Sequence, residues 1–236
     1  MKKSSKFIPA LLLIAALVFQ LGCASTSSTG KSKPSGFLGD YSLLSAGGDG
    51  RANLLYIDES AQFSQYDKVL LEPVTVWRTS DANLNDLEAA ELKQLTDHLY
   101  TSVHKELSKK YEMVQVAGPG TLRVRLALTE AVGANVAMNT VSSIIPIGLI
   151  GSSAKKMATG SHAFVGKASV EGEVLDSITN VRLLAAVDER AGRKDPIGGK
   201  WSDANAAFDY WAEKLASRLN GLVRAEGMKQ SLKEIE

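Results

Sequence analysis

The clearest signal in the chain is an alternation. Leu122, Val124, Leu126 and Leu128 take turns with Arg123, Arg125, Ala127 and Thr129. A period of two marks a strand with one apolar face and one face toward water. Two further β-favouring runs, Phe164 to Leu175 and Val181 to Arg190, flank Asp176-Ser177-Ile178-Thr179-Asn180, a segment with hairpin chemistry. Lys68 to Trp77 also reads as a strand, at a sheet edge or bulged, because Pro73 cannot donate to a ladder. Met113 to Val116 reads as a short strand, and Gly118-Pro119-Gly120 as a turn.

Two stretches change period. Leu92, Leu95, Leu99, Val103 and Leu107 recur at three and four residues, predicting a helix from about Leu84 to Lys110. Phe208, Trp211, Leu215, Leu219 and Leu222 predict a second. Ser80-Asp81-Ala82-Asn83 and Ser202-Asp203-Ala204-Asn205 repeat one tetrapeptide, each shortly after a tryptophan. Two helices sharing a good N-cap account for the repeat more simply than duplication. The order of elements predicts an α/β (α+β) two-layer sandwich, with one mixed sheet of about five strands and two amphipathic helices on one face.

The pattern at the N-terminus is of another kind. Lys2, Lys3 and Lys6 precede an apolar run from Phe7 to Phe19. This is the layout of a signal peptide, and it falls short of the roughly 20 apolar residues of a membrane span. Leu21-Gly22-Cys23-Ala24 resembles the lipobox of bacterial lipoproteins, with Gln20 where those signals carry Leu, Val or Ile. The resemblance implies cleavage after Gly22 and lipid on Cys23, the sole cysteine. Ala24 and Ser25 lack the aspartate that retains such proteins at the inner membrane. By analogy with Gram-negative sorting, the expected place is the cell envelope: an outer-membrane lipid anchor with a periplasmic domain. Ser25 to Ser35 holds no large apolar residue and reads as a flexible tether. The expected division is residues 1–22 signal peptide, 23–35 lipidated cysteine and tether, 36–226 globular domain and 227–236 C-terminal tail.

Composition excludes some partners. The chain carries 27 basic and 26 acidic residues. Without the three leader lysines the balance turns slightly acidic and holds no long basic run, which argues against nucleic acid. Catalytic constellations are sparse. Glu171 and Glu173 lie two apart on a strand and share a face. Such a pair can do acid–base work on a glycosidic bond, but here it reads first as a solvated strand face. Ser152-Ser153-Ala154-Lys155-Lys156 offers two Ser-x-x-Lys pairs without the Ser-Asp-Asn and Lys-Thr-Gly partners of the penicillin-binding enzymes. His98 and His104 are six apart on one helix, outside the spacing for a shared metal, and His162 stands alone. Gly30-Lys31-Ser32 echoes a phosphate loop but has Ser25 where the first glycine belongs. Trp201 and Trp77 precede the helices, where packing is favoured over ligand stacking, and Trp211 belongs to a helix core face. No cofactor and no metal are expected.

Several short motifs recur in order along most of the mature chain. They are Ser35-Gly36-Phe37-Leu38-Gly39-Asp40-Tyr41, Tyr56-Ile57, Gly118-Pro119-Gly120, Leu175-Asp176-Ser177 and the Trp201 helix start. In these the sequence resembles the bacterial lipoprotein family known as domain of unknown function 3313. The resemblance implies the envelope address and the fold, and it brings no activity. The leading expectation is a non-enzymatic binding or assembly factor, held to the membrane through lipidated Cys23 and recognising an envelope protein. The alternatives are an envelope hydrolase acting on peptidoglycan or polysaccharide and a membrane-inserting secretion subunit. The candidate interaction surface is Val132 to Gly160, which interrupts two strands and is apolar through Val141, Ile144, Ile145, Ile147 and Leu149. A segment of that length exceeds an ordinary connection, and its apolar face needs cover from the domain, a partner or lipid.

Overall fold

The computed structural model describes residues 27–28, 32–80, 82–134, 166–192 and 199–233. Within them lies a mixed sheet of nine strands: β1 Ser27–Ser28, β2 Ser45–Ala46, β3 Leu54–Ile57, β4 Lys68–Leu71, β5 Thr75–Val76, β6 Glu112–Met113, β7 Thr121–Val132, β8 Lys167–Asp176 and β9 Arg182–Ala191. The helices are α1, Ala89–Leu107, and α2, Ser202–Lys233. The spatial order is β2-β3-β9-β8-β7-β4-β6, with β1 on β9 and β5 on β7. Strands β7, β8 and β9 run antiparallel, whereas β4 and β5 are parallel to β7.

The expected two-layer α/β sandwich is observed, and the strand count differs for a physical reason. Four of the nine strands are two-residue ladders, too short to show a period. Strand β3 is Leu54-Leu55-Tyr56-Ile57, four apolar residues without alternation, because both of its faces are covered. Pro73 falls in the gap between β4 and β5, where no ladder hydrogen bond is asked of it.

The inner sheet face and both helices enclose the main core. Leu92, Leu95, Leu99, Val103 and Leu107 of α1 are all buried, as their spacing predicts. In α2 the buried line is Ala204, Phe208, Ala212, Ala216 and Leu219, with Trp211, Leu215 and Leu222 flanking it. Alanines let the helix backbone approach its neighbours closely, and a search for large apolar residues overlooks them. The repeated tetrapeptide caps neither helix in the expected way. Helix α1 starts only at Ala89, after a 3₁₀ turn over Asn83–Asp86 that inserts Leu84 fully into the core. Asn83 donates instead to Glu130 Oε1 at 2.6 Å. Ser202 is already helical, and Asp203 accepts the Gly166 N–H at 2.7 Å. Helix α2 also continues past Glu226 to Lys233, where the sequence suggests a separate tail. Glu226 accepts the N–H groups of Phe63 and Ser64 at 2.5 and 2.8 Å.

The turn after β8 is built as its residues require. Asp176 Oδ1 accepts the N–H groups of Ile178 and Thr179 at 3.0 and 2.7 Å. Asn180 takes a positive φ of 58°, which asparagine tolerates better than most side chains. At Gly120, with φ of 70°, a Cβ would come within 3.0 Å of Asp67 Oδ1.

Phe208 is fully buried between the sheet and α1. Phe208→Ala is expected to cost about 3–5 kcal/mol in urea unfolding, whereas Val116→Ala, at a residue 74% exposed, is expected to stay within about 0.5 kcal/mol.

Candidate functional site

The outer sheet face, expected to be solvated, carries a polypeptide strap. Residues 35–44 cross it and bury Phe37 and Leu38 against Ala127, Ala185 and Val187. Ala127 and Ala185 are small enough to let the strap lie close. Gly36 and Gly39 turn it with φ of 100° and 71°, conformations a side chain would strain. Trp77 stands edge-on to Phe37 with ring centroids 5.6 Å apart and donates its indole N–H to the Ser35 carbonyl at 3.1 Å.

Beneath the strap lie Glu171 and Glu173, 0% and 4% exposed. This corrects the reading of the pair as a solvated face. One Glu171 oxygen accepts the Ser35 N–H at 2.6 Å; the other accepts the Tyr41 hydroxyl at 2.5 Å. That hydroxyl in turn accepts the N–H groups of Gly36 and Leu38 at 2.8 and 3.2 Å. Burial, and then the bond to Glu171, push the Tyr41 hydroxyl pKa up. Glu173 accepts from Arg125 at 2.5 Å and from Arg182 at 2.9 Å. Arg182 also donates to the carbonyls of Leu38 and Asp40 at 2.6 and 2.7 Å, and Arg125 lies over the Phe37 ring at 5.2 Å. All four carboxylate oxygens are therefore engaged in holding the strap. A buried carboxylate is tolerable only on such terms.

A third buried carboxylate lies on the inner face. Asp188 accepts the Asn53 N–H at 3.1 Å and the Trp211 indole N–H at 2.7 Å. Burial pushes its pKa up, against the lowering effect of these donors and of Arg190. The arrangement ties α2 to β9 and to the start of β3.

Other sequence candidates are scattered. His98 and Ser102 both meet Asp209 on the surface, at 3.1 and 2.6 Å, while His104 stacks on Tyr100. Trp201 is buried and Trp77 is 37% exposed. Among the described residues, no three of His, Cys, Asp and Glu gather as metal ligands, and no helix is long and apolar enough to cross a membrane. Cys23, Gly30, Lys31, Ser152, Ser153, Lys155, Lys156 and His162 lie outside the described residues. So do Val141, Ile144, Ile145, Ile147 and Leu149.

The framework around that last segment is described. Strands β7 and β8 pair from Leu122↔Asp176 to Val132↔Lys167, so the long connection leaves and rejoins the sheet at neighbouring positions. Its two ends are fixed to the start of α2: Ala134 N–H donates to the Lys200 carbonyl at 3.1 Å, and Gly166 N–H donates to Asp203. At the same end of the sheet, Ser27 and Ser28 pair with Ala191 and Arg190. Part of the stretch read as tether is thus a strand.

Comparison with known proteins gives a family. The family described as "Protein of unknown function (DUF3313)" matches residues 33–215, and the chain belongs to it. An uncharacterized lipoprotein, YdcL, of Escherichia coli K12 is 26% identical over 184 residues, covering 76% of this chain and 80% of its own. Among solved structures, a homolog of a putative neuraminyllactose-binding hemagglutinin from Helicobacter pylori aligns over 80% of this chain and 98% of its own, at 11% identity and a TM-score of 0.39. A PelC dodecamer from Paraburkholderia phytofirmans aligns over 69% and 94%, at 10% identity and a TM-score of 0.38.

Removing the Glu171 carboxylate strands the Ser35 N–H and the Tyr41 hydroxyl together. Glu171→Ala is expected to lower unfolding stability by about 2–4 kcal/mol, read from urea midpoints. A surface carboxylate kept for catalysis would leave stability nearly unchanged.

Proposed function

From membership in this family, we propose that the protein is an envelope lipoprotein that acts by binding and not by catalysis. Residues 1–22 serve as the signal peptide and Cys23 carries the lipid. The domain works on the periplasmic side of the outer membrane as a binding or assembly factor for an envelope protein. The lipoprotein relative in Escherichia coli supports the anchor. The observation that carries the reading is the register of Ser27 on Ala191, at the sheet end where Val132 and Lys167 bracket the apolar connection.

That register limits the geometry. Ser27 lies four steps along the chain from Cys23, and extended chain covers at most about 3.6 Å per step. The sheet end therefore lies within about 14 Å of the lipidated residue. Three acyl chains, at about 0.8 kcal/mol per buried methylene, would hold it there. The ends of the connection, at Val132 and Lys167, then stand near the membrane surface, and Val141, Ile144, Ile145, Ile147 and Leu149 lie between them in sequence. A hydrolase built on Glu171 and Glu173 has less support, since both carboxylates are spent on the strap.

The experiment is site-specific photocrosslinking of the full chain in living cells. A crosslinker at Lys167 is expected to capture an envelope protein or lipid, and one at Ile178, at the far end of β8, is expected to capture neither. Cys23→Ser is expected to abolish labelling by radioactive palmitate and to erase the Lys167 adducts. Palmitate incorporated into the variant, or capture from Ile178 alone, would refute the proposal.

A further inference from the structure

The inner sheet face has a gap in its middle row. Val124, Val174 and Leu184 form one row across β7, β8 and β9, and Leu128, Val170 and Asp188 form another. Between them the register pairs Leu126 with Gly172 and Gly172 with Ala186. Glycine and alanine cannot fill the space up to α2. Leu126 leans over Gly172, where a Cβ would meet its Cδ2 at 2.7 Å, and the rest stays open. The result is a hollow of about 120 Å³ walled by Leu55, Leu126, Leu184, Ala186 and Leu215. Gly172, Ala186, Leu55, Trp211 and Leu215 are all partly exposed, so the hollow reaches solvent past the edge of α2.

Its mouth is cationic. Arg51, Lys214 and Arg218 line it; Arg51 and Lys214 are exposed and Arg218 is half-buried. None of the three has an ion-pair partner among the described residues; Lys214 instead lies over the Tyr210 ring at 5.2 Å. The two carboxylates beside the hollow are committed elsewhere, Asp188 to Asn53 and Trp211, and Glu173 to Arg125 and Arg182. The wall thus offers aliphatic contact and no spare donor or acceptor, and the rim offers positive charge without a counter-charge.

We propose that this hollow binds an acyl anion, with the chain packed over Gly172 and Ala186 and the anionic head on Lys214, Arg218 and Arg51. An engineered apolar cavity of about 150 Å³ takes up the six carbons of benzene, so this smaller, open one holds roughly five carbons of a longer chain. Charge complementarity selects the anion, and the aliphatic wall selects the chain. The head can be a free carboxylate or the phosphate of a lipid. The site does not depend on lipid at Cys23 or on the long connection, so either reading can fail without the other.

The test uses the full chain in zwitterionic nanodiscs, titrated with octanoate, octyl phosphate, octyltrimethylammonium and acetate by calorimetry, with melting temperature as a second readout. Octanoate or octyl phosphate is expected to bind and raise the melting temperature, and the tighter of the two identifies the head. Octyltrimethylammonium and acetate are expected to do neither. Ala186→Leu, which fills the hollow, and Lys214→Glu with Arg218→Glu, which reverses its mouth, are each expected to weaken binding by about tenfold or more. If Ala186→Leu fails to fold, the charge variant decides alone, with its melting temperature in the absence of ligand as the check that it folds. Equal binding of the cationic analogue, no binding of either anion at millimolar concentration, or unchanged affinity in the folded variants would overturn the proposal.

Discussion

Two carboxylates in the middle of a strand would ordinarily face water. Here Glu171 and Glu173 are buried because residues 35–41 cover them while donors reach both, Ser35 and Tyr41 for Glu171, Arg125 and Arg182 for Glu173. The bargain is mutual. The carboxylates avoid an unpaired buried charge, and the strap gains fixed partners for backbone groups that would otherwise fray. Arg182 serves both, bonding Glu173 and two strap carbonyls at once. The outer sheet face, the turn at Gly36 and Gly39 and the seat of Phe37 follow from this exchange.

The described residues before the strap are held as well. Ser35 is held by Glu171, Ser32 accepts from Asn53 at 2.7 Å, and Ser27–Ser28 pair with the end of β9. Residues 27–28 thereby lie at the sheet end where β7 and β8 open into their long connection. On the opposite face, α2 is pinned through Trp211 to Asp188, and the small residues Gly172 and Ala186 leave the hollow beside it. One face of the sheet fixes position and the other leaves room.

Much of this was legible in the sequence where the determinants are local. The alternation of β7, the β8–β9 hairpin and the five buried positions of α1 need only neighbouring residues to be recognised. The strap needs a partner 130 residues away, as the Tyr41–Glu171 bond shows, and no periodicity encodes that. Its signature was visible only as an opening motif of glycines and aromatics, without a target. The alanine line of α2 escaped because it lacks bulk. The hollow escaped because it is a register effect: Leu126, Gly172 and Ala186 are unremarkable until three strands align them. The cap tetrapeptides misled because Asn83 and Asp203 are claimed by tertiary contacts that outweigh local capping.

The strap is the claim on which this account rests, and amide hydrogen exchange of the full chain tests it directly. The N–H groups of Ser35, Gly36 and Leu38 are predicted to exchange slowly. In Glu171→Ala they should exchange at the rate of open chain, while amides in the centre of β7 and β8 keep their protection. Fast exchange of the three amides in the unaltered protein, or equal protection in both, would contradict it.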